Sequence, residues 1–331
     1  MDASITIVIP TFNSSTTLAP CITACLNQDY QGPIQVIVVD DGSTDPTARL
    51  VGNFPEVRYI QQENGGPAKA RNTGWQEAAS QIVCFTDSDC VPNPQWVSRL
   101  VHRYDSDRIG GVGGSYSLLN GKNLLARCIH QEIVYRHARM PTQAVFLGSY
   151  NASFRKNVLE RAGGFDETYA MASGEDNDLS YRVIQLGYQL IFDPTNTVGH
   201  HHPTGLLRYW KRQFWHGYWR MKLYGHHPKM AHGDGYSSPL DFIQPPLLLA
   251  IFFLIPFWWI PGVAWLWAGL AIAALGLQVP FIFRVVLETK DLRYLVLFPI
   301  LIGRAWTRGM GMLYGVLKFF ILKKSPSQAG S

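Results

Sequence analysis

The sequence predicts an α/β domain with a mostly parallel sheet, followed by an interfacial helix and a C-terminal transmembrane helical hairpin. Three observations carry this reading. Residues 1–200 alternate short β-branched runs with helical patterns, the signature of βα units. Residues 242–283 hold no Asp, Glu, Lys, Arg or His over 42 positions. Charge also separates along the chain: 15 Lys/Arg stand against 20 Asp/Glu in residues 1–193, and 14 against 4 in residues 194–331. With 47% hydrophobic and only 16% charged residues among 331, the composition excludes a disordered chain and falls below the roughly one-quarter charged content of soluble domains.

The first strand is read at Ile5–Ile9, and the next at Gln35–Val39, Val57–Ile60 and Ile82–Thr86, each bounded by Gly, Pro, Asn or Asp. Helices are expected between them at Thr16–Asn27, Pro46–Val51 and Pro67–Ala79, and a later strand-like run is Leu190–Phe192. Ligands of such sheets bind beyond the carboxyl ends of the strands. Those ends are polar here: Pro10-Thr11-Phe12-Asn13 after the first run, Asp40-Asp41-Gly42-Ser43-Thr44-Asp45 after the second, Asp87-Ser88-Asp89 after the fourth. Ser43 and Asp45 read as turn and N-cap residues. In Asp87-Ser88-Asp89 two carboxylates one residue apart can reach one hard cation, and Mg²⁺ or Mn²⁺ is the usual bridge to a nucleotide diphosphate.

After the α/β domain, the segment 204–233 mixes Trp, Tyr and Lys/Arg, and no acid occurs from Pro194 to Gly233. It reads as a helix at a headgroup surface, rings at the interface and cations on lipid phosphates, with no nucleic-acid partner expected. The charge-free stretch would be about 63 Å long as helix, twice the roughly 30 Å hydrocarbon thickness. Two spans are therefore expected, Phe242–Ile260 and Val263–Phe283, turning at Pro261-Gly262. Lys and Arg flank the hairpin on both sides, which puts both of its ends in the cytosol. The stretch Leu295–Leu322, interrupted by Arg304, Arg308 and Lys318, is either an interfacial helix or a third span. The tail SPSQAGS is expected to be disordered. Five cysteines without a CxxC pair fit reduced packing residues. The opening MDASITIVIPTFNSS lacks a signal-peptide pattern, so the α/β domain is expected in the cytoplasm of a multi-pass inner (plasma) membrane protein.

The run of VIPTFN, VVDDGSTD, NGGPAKARNTG, FTDSDC, GSYNASFRKNVLERAGGFDE and GEDNDLSYRVIQLG resembles family 2 of the glycosyltransferases, inverting nucleotide-sugar enzymes of the GT-A (Rossmann-like) fold, over residues 4 to about 217. The resemblance implies a GT-A domain at 1–203, the interfacial helix region at 204–233 and a membrane domain at 234–331. It implies a nucleotide pocket of Pro10, Thr11, Asn13, Asp40, Asp41 and Ser88, with Lys69 and Arg71 near the diphosphate. Asp87 would touch the ribose or the metal, Asp89 would ligate the metal, and His200, ahead of His202, would complete that site in V-G-H-H-H. Asp176 is implied as the base that takes the acceptor proton, with Glu175 as its neighbour; mutual repulsion would raise their pKa values. Gly148, Asn151, Arg212 and Gln213 are implied at the acceptor or donor sugar.

The stretch Arg212-Gln213-x-x-x-Gly217 is similar to that of membrane-attached members and departs from the Q-x-x-R-W of processive synthases such as cellulose synthase. The order through Gln244-Pro245-Pro246 is similar to bacterial exopolysaccharide and cell-envelope enzymes. A single transfer is expected, from a nucleotide-sugar donor (a UDP-sugar first) to a lipid-linked glycan or glycolipid, with a divalent metal as cofactor. The rival readings are a sugar-phosphate nucleotidyltransferase, against which stands the want of a Gly-rich basic loop after the first strand, and an inactive sugar-binding scaffold.

Overall fold

The computed structural model describes residues 3–229, 235–237 and 239–322. These form two compact units, one of residues 3–122, 132–202 and 235–236, the other of residues 123–131, 203–229, 237 and 239–322. The tail expected to be disordered lies outside the described residues.

In chain order the first unit opens with β1 (Ile5–Thr11), α1 (Leu18–Leu26), β2 (Ile34–Asp40), α2 (Thr47–Val51), β3 (Val57–Gln61), α3 (Pro67–Gln76) and β4 (Ile82–Thr86). It continues through β5 (Cys90–Pro92), α4 (Trp96–His102) and β6 (Ile109–Leu118) to α5 (Leu124–His137), whose residues divide between the units. Then come β7 (Gln143–Ala144), β8 (Asn151–Arg155), α6 (Lys156–Ala162), α7 (Glu175–Gln185) and β9 (Gln189–His200). The strands make one sheet in the order β3-β2-β1-β4-β8-β6-β9-β5, with β7 also on β9.

The four strands read from the sequence are all present and run on by up to two residues. β1, β2, β3 and β4 are parallel, whereas β4–β8, β6–β8, β5–β9 and β7–β9 are antiparallel and β6–β9 is parallel. The sheet is thus parallel in its first half and mixed beyond. In that second half β6 carries IGGVGGSYSL, whose glycines hide the apolar alternation.

Burial on both faces explains why β1 and β2 are near-continuous apolar runs. Ile5, Ile7 and Ile9 pack with Leu18, Cys21, Ile22 and Cys25 of α1 on one face. Val8, Ile37 and Val39 pack with Ala68, Ala70 and Trp75 of α3 on the other. Each buried Ile or Val stabilises by about 1.5–3 kcal/mol. Pro67 opens α3 at the position where its missing N–H costs nothing. Gly74 lets α3 lie against β1, since a Cβ there would overlap Val8 Cγ1. All five cysteines are buried thiols.

The second unit holds α8 (Leu206–His226), α9 (Pro239–Leu254), α10 (Pro261–Gly276), α11 (Val279–Thr289) and α12 (Leu297–Val316). Among the described residues two helical stretches are long and apolar enough to cross a membrane, Leu240–Phe257 and Pro261–Thr289. Their break falls close to the expected place, but Pro261 is the first residue of α10 rather than part of the turn. The helix expected at a lipid surface has a packed side. A Cβ on Gly217 of α8 would strike the Arg308 carbonyl, and one on Gly311 of α12 would strike the Phe214 carbonyl, so the two backbones touch. The stretch after residue 295 is therefore the packing partner of α8, and its Arg308 pairs with Asp241 of α9 at 3.0 Å.

Candidate active site

Parallel pairing brings the ends of β1, β2 and β4 to one rim: Thr11 lies opposite Asp40, and Val8 opposite Phe85 one residue short of Thr86. Backbone donors and side-chain oxygens sew the loops together. Asn13, at a left-handed φ of 50°, accepts from Thr44 N at 2.8 Å and Asp45 N at 3.2 Å, and its own N donates to Ser43 Oγ. Ser15 N donates to Asp45 Oδ2 at 3.0 Å, and Asp45 Oδ1 accepts from Thr47 N. Burial alone would raise the Asp45 carboxyl, but the Thr47 and Ser15 hydrogen bonds hold it at about 2. Asp45 thus fills the turn and capping role read from its position, and Pro10 and Thr11, at the end of β1, are buried.

Asp40 and Asp41, implied at the base and ribose, instead face their own chain. Asp40 accepts from Ser43 N at 2.8 Å and Tyr59 OH at 2.6 Å. Asp41 accepts from Gln62 Nε2, Gly65 N and Gly66 N at 2.7, 2.9 and 2.8 Å. Both carboxylates are buried, and they shape the loop leading into α3. Lys69, half-buried, lays its stem beside Gly65.

Arg71, implied near the diphosphate, has two carboxylate partners within the protein. It is 2% exposed, donating from Nη2 to Asp87 Oδ1 and from Nη1 to Glu175 Oε1, both at 2.9 Å. Its guanidinium is committed to two carboxylates, one after β4 and one opening α7. The neighbouring Asn72 accepts from Phe165 N and donates to Phe165 O, each at 2.8 Å, which ties α3 to the loop before α7. Asn72 is a site-shaping residue the sequence reading did not single out.

Gly174 caps α7 at φ 101°, a conformation a side chain would strain. Glu175, 1% exposed, also accepts from Ser173 N at 2.6 Å. Asp176 accepts at Oδ2 from Ser149 N at 3.1 Å, while its Oδ1 is buried with no hydrogen-bond partner. Burial raises both carboxyls above the ordinary range, and the neighbouring Asp176 charge adds to the rise at Glu175. Asp178 turns instead to Arg182, one helical turn along. Gly148, buried, precedes the Ser149 amide that holds Asp176.

Antiparallel pairing of β5 with β9 sets Cys90 opposite His200. This brings Asp89 Oδ2 to 3.5 Å from His200 Nε2, with Cys90 Sγ in the same cluster. Burial pushes the Cys90 thiol well above its ordinary range. A carboxylate and an imidazole converging in this way suit Mn²⁺ better than Mg²⁺. Ser88 Oγ donates to Ser14 Oγ at 2.9 Å, back on the β1 rim.

Two residues implied at the sugar have partners within the protein. Asn151, 0% exposed, donates to the Ser115 and Asn196 carbonyls at 2.9 Å and accepts from Trp96 Nε1 at 2.8 Å, so its side chain is consumed inside the sheet. Gln213 is buried in the second unit, where its Oε1 accepts from Arg308 at 2.5 Å. Arg212, beside it, is exposed.

The chain is similar to known proteins in sequence and in fold. A glycosyltransferase named for pre-mycofactocin in Mycobacterium tuberculosis is 32% identical over 234 residues, covering 68% of this chain and 48% of its own. Glycosyltransferase AglE of Haloferax volcanii is 28% identical over 218 residues, covering 63% and 70%. The chain therefore spans about half the length of the first relative. Among solved structures, the mannosyltransferase PcManGT of Pyrobaculum calidifontis superposes with a TM-score of 0.57 at 20% identity over 94% of this chain and 87% of that one, which establishes the GT-A fold. The family description "Glycosyl transferase family 2" matches residues 6–163, from β1 through α6. With its relatives and its fold in agreement, the chain belongs to glycosyltransferase family 2.

Proposed function

We propose that the protein is an inverting glycosyltransferase that moves a sugar from a nucleoside-diphosphate sugar to the hydroxyl of a membrane-associated acceptor, a lipid-linked glycan or a glycolipid. The observation that carries the reading is Asp176: one oxygen is held by the Ser149 amide, and the other is buried and without a partner. A carboxylate held at one oxygen, with the other lacking a hydrogen-bond donor, has a lone pair left to accept a hydroxyl proton. Burial raises its pKa, which strengthens it as a base once ionised.

Arg71 and Glu175 keep the acceptor side and the donor side in register, because one guanidinium grips both Glu175 and Asp87. Asp89 and His200 would hold a divalent cation, with Mn²⁺ favoured by the imidazole donor. When bound, such an ion neutralises the leaving diphosphate. Lys69, half-buried beside Gly65 and on the same helix as Arg71, is the cation proposed to approach the phosphates. PcManGT, solved with GDP-Man and Mn²⁺, supports a nucleotide-sugar donor and a metal without choosing the base here. A UDP-sugar remains the first donor to try.

The membrane part of the proposal rests on the two apolar helices and on the Lys and Arg that flank them. It gives a multi-pass protein of the plasma membrane with the GT-A unit on the cytoplasmic side. The test is a screen of detergent-solubilised protein against UDP-, GDP- and TDP-sugars with Mn²⁺, with Mg²⁺ and with a chelator. Metal-dependent thermal stabilisation by one nucleoside diphosphate, with slow hydrolysis of one sugar, is the expected result. Release of diphosphate from a nucleoside triphosphate would overturn it in favour of nucleotidyl transfer.

A further inference from the structure

His200 and His202 meet through the same ring atom: their Nδ1 atoms are 2.9 Å apart, within hydrogen-bond distance. Two lone pairs would repel at that separation, and so would two N–H groups. One proton lies between the rings, and one ring donates while the other accepts. On its other side His200 presents Nε2 towards Asp89 Oδ2 at 3.5 Å, too long for a hydrogen bond but right for two ligands about to share an ion.

His202 is built into place. Asn120 grips its backbone at both groups, donating to its carbonyl at 2.6 Å and accepting from its amide at 3.1 Å. The Tyr116 ring lies against both imidazoles, with centroids 4.6 Å from His200 and 5.7 Å from His202, and stacks in turn on Tyr150 at 3.6 Å. Both histidines are buried. A buried imidazole pair with a fixed shared proton does more than fill space, because it decides which nitrogen of His200 carries a lone pair.

We propose that His202 is a positioning residue for the cation: it accepts the Nδ1 proton of His200 and so holds His200 in the tautomer whose Nε2 lone pair faces Asp89. No bond is made or broken in this role. The proton stays on His200 Nδ1, and the ring proton of His202 sits on its own Nε2. Imidazoles that bind metals are held in this way by an acceptor on their far nitrogen, and removing the acceptor costs roughly 10- to 100-fold in metal affinity. This inference rests on the proposed metal-dependent transfer, since it concerns the same Asp89–His200 pair.

The test is a Mn²⁺ titration of the full-length protein followed by electron paramagnetic resonance of the free ion, with and without saturating UDP or GDP. His202→Phe keeps a ring but removes the acceptor, and His202→Asn keeps an oxygen near the Nδ1 position. The inference predicts a rise in the Mn²⁺ dissociation constant of about tenfold or more for H202F and recovery to within about threefold of wild type for H202N. Equal affinities for H202F and wild type, with loss in His200→Ala, would overturn the role of His202 alone. Unchanged affinity in H200A would overturn the metal reading itself. Should H202F fail to fold, nitrogen NMR of ¹⁵N-histidine-labelled wild type with Cd²⁺ decides the matter: a protonated Nδ1 and ligated Nε2 on His200 support the proposal, and a protonated Nε2 refutes it.

Discussion

Arg71 donates to Glu175 at 2.9 Å across 104 positions of sequence, and both side chains are buried. The same guanidinium reaches Asp87 in the loop after β4, so side chains from α3, α7 and that loop meet around one buried arginine. Removing one member strands the others, and breaking a buried pair costs about 3–5 kcal/mol.

Arg71→Ala is therefore expected to lower the melting temperature and abolish transfer together. Arg71→Lys restores charge but not the fork that grips two carboxylates, and should recover part of the stability with little activity. Differential scanning fluorimetry beside a transfer assay separates the two effects. An R71K enzyme with wild-type turnover would mean that bridging is not required.

The Glu175–Asp176 pair sets a pH dependence. Burial, with the Asp176 charge next, raises Glu175 from an ordinary 4.5 to about 8, so the folded protein keeps a proton that the unfolded chain has released. Stability from this site is therefore highest below about pH 4.5 and falls as pH rises towards about 8. Activity runs the other way, since Asp176 must be ionised to act as a base. Glu175→Gln should flatten the stability slope and leave the acid limb of kcat/KM near its wild-type position, because Glu175 keeps its proton towards pH 8 and puts no charge beside Asp176 as that carboxyl ionises. Urea unfolding and rate profiles over the same pH range check both signs.

Asp41 receives N–H donors on both oxygens from Gly65, Gly66 and Gln62. In Asp41→Asn an NH₂ group must face one of these donors, which costs about 1–3 kcal/mol. The loop into α3 should loosen. We expect a lower melting temperature and a higher KM for the donor, with kcat less affected.

Gly74→Val tests the seat of α3 on β1. A side chain there meets Val8, and overpacking of this kind costs about 1–3 kcal/mol. Because Arg71 and Lys69 ride on the same helix, activity should fall further than stability alone explains. Comparing turnover at temperatures well below each melting point checks this.

The first half of the fold was legible because β1, β2 and β4 are buried on both faces and read as apolar runs. β6 was not, because four glycines in ten residues erase the period-two signal, and its place is fixed by pairing with β8 and β9. In the site, motif order pointed to loops that the fold gathers on one rim, but the partners of Arg71, Asp87 and Glu175, could not be read from it. A charged residue on a helix reads as solvated until the fold supplies partners from 16 and 104 positions away. Asn151 shows the same ambiguity: a polar residue in a motif is undecided until its partners, two carbonyl acceptors and an indole N–H donor, are in view. Asp89 and His200 were legible as ligand types, but the β5–β9 register that joins them was not.

The measurement that bears most directly on the account is transfer by Asp176→Asn, set beside its affinity for the nucleoside diphosphate identified in the donor screen. The account predicts that turnover falls by about 10³-fold or more while nucleotide affinity stays within about threefold, because the change removes a proton acceptor and leaves the donor side intact. Near-normal turnover in D176N would contradict it and send the search for the base elsewhere on the rim.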